Sequence, residues 1–287
     1  MFGPNYLSSF HYNMTFSHRS EDFKLVYKDT VDLISDKFSL QEYDIIPIVG
    51  SGTTAMETLI MSSKFDIDVI GNDGKFKDRW ANLSSQQQTS SQRRVELYCQ
   101  LETSRSSTFK KEGCFVDGIS SFPFYDIPKN TLAFVTCANK QIGAYPGLSF
   151  IFVRKNCWHL FKNEEMFHTR NLSLYRKYFI NSQTPTTCPV QVFEQLNRCL
   201  QNLNFQQEKQ KIIQNSNLLG EVLSEFLIGE KTCPVLTFYK EGVPDSLANE
   251  YKIYNYNNDS PYYQIFTYSA PQEEYYNFYK DLKNARC

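Results

Sequence analysis

The sequence predicts an α/β fold built on a largely parallel sheet, and three observations carry that expectation. Helix and strand signals alternate over most of the 287 residues. The strand-like run YDIIPIV (Tyr43 to Val49) turns through GSGT into a helical pattern. Two more apolar runs each end in a polar group, Asp117 after CFV and Lys140 after LAFVTCAN. Open α/β sheets place their ligands at strand ends of this kind.

Taken in order, the first strand is Tyr43 to Val49. TAMETLIMSS follows as a helix, with apolar residues at Met56, Leu59 and Ile60. FDIDVIGN reads as the next strand and KFKDRWANL as a short helix. Ser84 to Arg94 is polar and low in complexity, an exposed loop. VELYCQLE, GCFVDG, NTLAFVTCA and LSFIFVRK are four further strands, the last after the GAYPG turn. VFEQLNRCLQNL and the stretch from Gln206 to Leu227 read as long helices. PVLTFY, YKIYNYN and YYQIFTYSA follow as strands, and QEEYYNFYKDL as a closing helix. The expected organisation is a large domain over 1–190 and a small α+β C-terminal domain over 191–287. No internal repeat is visible.

Composition narrows the function. Net charge is −1 with acids and bases mixed, which predicts no nucleic-acid partner and no polybasic membrane patch. No run approaches the roughly 20 apolar residues of a membrane helix. MFGPNYLSSFHYN lacks the basic start and apolar core of a secretion signal, and KNARC is not a prenylation box. The eight cysteines are scattered without a CxxC pair, and four scattered histidines give no ligand spacing, so no metal is expected. Reduced thiols and a cytoplasmic location are the expectation.

A carboxylate and a lysine at neighbouring strand ends suit pyridoxal phosphate (PLP). Lysine can hold the cofactor as a Schiff base, and an acid can keep the pyridine nitrogen protonated. A buried Asp–Lys ion pair, or two solvated loop ends, would leave the same spacing.

The wording around these residues resembles the class V aminotransferases of PLP fold type I. The likeness is nearest to the 2-aminoethylphosphonate–pyruvate and serine/alanine–glyoxylate transaminase group. Val116-Asp117-Gly118-Ile119-Ser120-Ser121-Phe122 is similar to that group's VDAxSSxG element. Ala138-Asn139-Lys140, with Gly143, Pro146, Gly147 and Phe150 in step, is similar to its SxNKxxxGxPGxxF element. FGPNYLS, SHRSEDF (Ser17 to Phe23), GSGTTAMET (Gly50 to Thr58), NDGKFKDRW (Asn72 to Trp80) and LETSRS (Leu101 to Ser106) match further elements in the family's order.

The resemblance implies roles. Lys140 is the Schiff-base lysine, and Asp117 binds the pyridine nitrogen. Ser51, Gly52 and Thr53 line the cofactor phosphate, where helix N–H groups and the helix dipole favour an anion. Phe76 stacks on the ring; a core aromatic is the competing reading. Trp80, one turn on, reads as core. Thr103 and Ser104 approach the ring, or form a polar turn. Ser120 and Ser121 are hydrogen-bonders at the strand end, either of which could meet the cofactor. Thr184 or Thr187, in TPTT, reaches the phosphate of a second subunit, which implies a homodimer.

Two departures bear on the substrate. Gln264 stands where the family carries an arginine that clamps the substrate anion, and an amide cannot make that charged fork. Arg105 stands where relatives have a small residue, so it is either a replacement clamp or a solvated loop arginine. The chain is also short between Trp80 and Leu101 and between Ser106 and Cys114. The expected activity is amino-group transfer between a small amine, such as a 2-aminoethylphosphonate-like compound or an amino acid, and a 2-oxo acid. The alternatives are a PLP-dependent lyase or decarboxylase, and a PLP-fold binding protein without turnover.

Overall fold

The computed structural model describes residues 17–87, 93–163, 169–255 and 259–286. The FGPNYLS element lies outside them. Helix α1 (Glu21–Lys37) opens the described chain. Ser20 caps it by accepting the Phe23 N–H, Glu21 and Asp22 favour its first turn, and Phe23, Tyr27, Thr30 and Ile34 form its buried stripe.

The central sheet has six strands. They are β1 (Tyr43–Val49), β2 (Asp66–Ile70), β3 (Arg94–Cys99), β6 (Phe115–Asp117), β7 (Ala133–Cys137) and β8 (Leu148–Arg154). Their order is β1-β8-β7-β6-β3-β2. β2, β3, β6 and β7 pair in parallel, and β8 runs antiparallel to both β1 and β7. The two short strands skipped in that numbering, β4 (Leu101–Glu102) and β5 (Ser107–Thr108), form a separate hairpin. The central strands read as continuous apolar runs because both faces are covered.

Alternation along the strands divides the core in two. Tyr98, Val116, Phe134, Phe150 and Phe152 face a cluster completed by α1 and by α5 (Val190–Asn202). Leu97, Phe115, Val135, Ile151 and Val153 face the other way. They pack with α2 (Gly52–Ser62), α3 (Lys75–Ser85) and α4 (Leu172–Phe179). A third cluster joins α6 (Phe205–Leu223), α7 (Asp245–Glu250) and α8 (Gln272–Arg286) to a three-stranded antiparallel sheet. That sheet has β10 (Val235–Tyr239) between β9 (Leu227–Ile228) and β11 (Tyr262–Phe266). The buried apolar residues of α5 belong to the first cluster, and Leu219 and Leu223 of α6 to the third. The change of core thus falls between these two helices, whereas the small domain was expected to begin at residue 191.

One expected strand does not form among the described residues. In YKIYNYN, Tyr251 and Ile253 are buried in the third cluster, Lys252 has φ +49°, and only Tyr254 bridges Gln264. The alternating apolar residues wrap the end of α7 instead of pairing in a ladder. Residues 256 and 257 of that run lie outside the described set. No helix among the described residues is long and apolar enough to cross a membrane.

Candidate active site

The parallel strands β3, β6 and β7 end together at Cys99, Asp117 and Cys137. Asp117 is 3% exposed. Its Oδ2 accepts the Trp80 indole N–H at 2.7 Å, and its Oδ1 accepts the Ile119 N–H at 3.0 Å. Burial pushes its carboxyl above the ordinary carboxylate value. The Ile119 N–H, the Trp80 N–H and the charge of Lys140 pull it back, and Glu102 pushes it up. Lys140 follows β7 in a tight turn, in which Gly143 N–H donates to its carbonyl and Gly143 has φ +76°. Lys140 Nζ donates to Ser120 Oγ at 2.5 Å. The neighbouring Ser121 hydroxyl turns away and donates to Gln100 Oε1 at 2.6 Å.

Gln141 was not singled out in the sequence, yet it joins the two loops of the site. Its Nε2 donates to the Ser120 carbonyl at 2.7 Å and its Oε1 accepts the Phe124 N–H at 3.0 Å. Cys99 and Cys137 are buried beneath the site, and burial pushes both thiols above their ordinary range.

Ser51 caps α2 by accepting the Thr54 N–H at 3.2 Å. The N–H groups of Gly52 and Thr53 precede the first turn's own hydrogen bonds and are the free donors of that helix end. A Cβ at Gly52 would come within 2.8 Å of Ile119 Cδ1, so the helix start packs directly on the loop after Asp117.

Glu102, fully buried, is a second residue whose role was not read from the sequence. Its Oε2 accepts the N–H groups of Phe76 and Lys77 at 3.0 and 3.1 Å. Its Oε1 accepts the Ser104 N–H and hydroxyl at 3.2 and 2.6 Å. The carboxylate therefore supplies the cap that α3 lacks from its own N-cap residue, Gly74. A side chain at Gly74 would meet Glu102 Cγ at 2.2 Å, which explains the glycine.

Lys140, Asn139, Phe76, Thr103, Ser104, Arg105 and Gln264 line one cavity of about 360 Å³, together with Tyr254 and Tyr262. Arg105 is exposed at its edge, and its Nη1 donates to the Tyr262 hydroxyl at 3.1 Å. Gln264 is buried, and its Nε2 donates to the Thr103 carbonyl at 2.5 Å rather than into the cavity. Thr184 and Thr187 are not among the residues lining this cavity. Thr184 is buried with its hydroxyl on the Thr186 carbonyl, and Arg19 donates to the Thr184 carbonyl at 2.9 Å; Thr187 is exposed. Among the described residues, no group of His, Cys, Asp and Glu side chains could hold a metal ion.

No protein-family model matches the chain. A soluble hydrogenase 42 kDa subunit from Anabaena cylindrica is 23% identical over 248 residues, 68% of this chain and 65% of that protein. The match thus spans less than two thirds of that relative's length. Among solved structures, a subgroup IV aspartate aminotransferase from Thermus thermophilus superposes with a TM-score of 0.79 at 16% identity, covering 98% of each chain. An alanine–glyoxylate aminotransferase from Nostoc sp. superposes with a TM-score of 0.77 at 16% identity, covering 96% of this chain and 90% of its own. The chain therefore has the mixed α/β fold of these aminotransferases, PLP fold type I, with a mostly parallel central sheet.

Proposed function

We propose that this chain is a PLP-dependent aminotransferase, acting as a homodimer on a small amine donor and a 2-oxo acid. The observation that carries the reading is the pairing of a buried Asp117 with Lys140 at the ends of adjacent parallel strands, beside the open N-terminus of α2. The residues fit the cofactor. Burial raises the Asp117 carboxyl because its two N–H donors and one neighbouring lysine under-compensate its charge. A protonated ring nitrogen is the partner that such a carboxylate lacks. Gly52 and Thr53 N–H, with the Ser51 and Thr53 hydroxyls, suit a phosphate. The half-buried Phe76 suits a ring face.

When bound, PLP supplies an electron sink for the α-carbon of an amine substrate. Lys140 Nζ would hold the cofactor and, once freed, would serve as the general base and acid that moves a proton from the substrate α-carbon to the cofactor's aldehyde carbon. Ser120 Oγ holds that amine in place between these roles. Asp117 would keep the ring nitrogen protonated. Thr103 and Ser104, in the corner fixed by Glu102, would border the ring. Arg105 is the proposed anion clamp for the substrate. The exposed Thr187, or Thr184 near it, would serve the site of a second copy.

A second reading, a PLP-fold protein without turnover, is favoured by one observation: the Gln264 amide is committed to Thr103, so no side chain at that position reaches for a substrate anion. One sequence of measurements separates the readings. The purified protein incubated with PLP should be yellow, and borohydride reduction followed by peptide mapping should fix the cofactor on Lys140. Half-reactions with a panel of amines should then bleach that absorbance. Labelling elsewhere sinks the assignment of Lys140, and labelling without bleaching favours the second reading.

A further inference from the structure

Trp80 is fully buried in the second core cluster and lies one turn along α3 from Phe76. Packing alone would account for its burial, but not for the direction of its polar edge. The indole N–H is a donor only, and a buried one needs an acceptor. It finds the Asp117 carboxylate, 37 residues away in sequence, at 2.7 Å. Ile119 N–H holds the other oxygen. The two donors fix the carboxylate plane, while an ionised carboxylate retains lone pairs for a further partner. Trp80 is itself held, because the start of α3 is fixed by Glu102 through the N–H groups of Phe76 and Lys77. A chain of bonds thus runs from Glu102 through α3 and Trp80 to Asp117.

We infer that Trp80 is a positioning residue for Asp117, its indole N–H fixing the orientation in which the carboxylate meets the cationic ring nitrogen of a bound cofactor. The inference rests on the reading that Asp117 faces that nitrogen. The molecule carries its own control. Its other tryptophan, Trp158, donates to a different carboxylate, Asp44 Oδ2, at 2.6 Å.

The test uses full-length protein labelled with ¹⁵N in the indole ring, which gives one N–H signal per tryptophan, assigned with Trp158→Phe. Without cofactor, the Trp80 signal should move in Asp117→Asn and stay in Asp44→Asn, and the Trp158 signal should do the reverse. Titration with PLP should move the Trp80 signal and leave Trp158 in place. Affinity is then measured with 3-benzothienyl-alanine at Trp80 in the Trp158→Phe background. Its sulfur replaces the N–H at nearly constant shape, so a folding defect from Trp80→Phe does not confuse the result. PLP affinity should fall about tenfold, and the pH titration of the bound chromophore should shift. PLP bound equally well by Trp158→Phe with its natural Trp80 and by the isostere in the same background, with the same titration, overturns the inference and leaves the cofactor reading standing. A wild-type chain that binds no PLP removes that reading and the inference with it, even where the cofactor-free signals behave as described.

Discussion

The side-chain amide of Gln264 donates to the backbone carbonyl of Thr103, and the Thr237 hydroxyl donates to the same oxygen at 2.6 Å. Strands β10 and β11 of the C-terminal sheet thereby grip the corner that carries Thr103 and Ser104. The position where the resemblance expects a substrate-binding arginine instead holds the wall of the cavity together.

Gln264→Leu tests that role. Thr103 keeps its bond from Thr237, so the loss is the two bonds of the Gln264 amide, to the Thr103 carbonyl and to the Thr237 hydroxyl at 3.2 Å, at about 1 kcal/mol each in unfolding free energy, read by urea denaturation. The Michaelis constant for an anionic amine should change by less than roughly tenfold, the factor that corresponds to 1.4 kcal/mol. A much larger rise, with unchanged stability, would mean that Gln264 binds the substrate directly.

Glu102→Gln should be more damaging than its small change in shape implies. Both carboxylate oxygens accept donors, two on each side. An amide must turn its own N–H groups toward one of those pairs and leave them unsatisfied, at about 1–3 kcal/mol for each buried donor. Denaturant titration should show the loss, and PLP affinity should fall with it because Phe76 starts the same helix. Gly74→Ala should act in the same direction through its clash with the Glu102 side chain.

How much was legible depends on the range of the interactions. Strands β1 and β8 stand out in sequence because each is a buried apolar run between turn signals, and the turn at Gly147 needs φ +120°. Asp117 and Lys140 stand out because of the wording around them, VDGISSF and ANKQIGAYPG; a charge at the end of an apolar run would by itself also fit an ion pair or a solvated loop end. Glu102 and Trp80 do not stand out. Their partners lie 26 and 37 residues away and meet them only once α3 has packed on the sheet. YKIYNYN misleads for the converse reason: its alternation is local, but Tyr251 and Ile253 turn into the third cluster at the end of α7 and Lys252 takes φ +49°, a conformation that a strand ladder does not use.

Buried phenols predict alkaline sensitivity. Tyr43, Tyr98, Tyr175 and Tyr275 are each pushed up to about 12, chiefly by burial. In the unfolded chain a phenol ionises near 10. The folded protein therefore holds protons that the unfolded chain releases, so stability is intact below about pH 10 and falls as pH rises toward 12. Each group contributes a slope of roughly 1.4 kcal/mol per pH unit in that window. Absorbance at about 295 nm should show these tyrosines ionising only as circular dichroism reports unfolding. Ionisation well before unfolding would contradict their burial.

Arg105 addresses the substrate. It stands at the cavity edge with its guanidinium 5.5 Å from the Tyr262 ring centre and one N–H on the Tyr262 hydroxyl. That contact aims a cation along the cavity wall but leaves other donors of the fork free for a carboxylate or phosphonate. Arg105→Ala should raise the Michaelis constant for an anionic amine or 2-oxo acid roughly tenfold to a hundredfold, the worth of one charge-assisted contact. PLP absorbance should be unchanged, because the Arg105 guanidinium contacts Tyr262, which has no proposed role in holding the cofactor. Tyr262→Phe should have a smaller effect in the same direction, since it keeps the ring and removes only the hydroxyl that orients the guanidinium. Unaltered kinetics of Arg105→Ala on 2-oxo acids would exclude the clamp. The substrate anion would then fall to Lys75, which lines the same cavity.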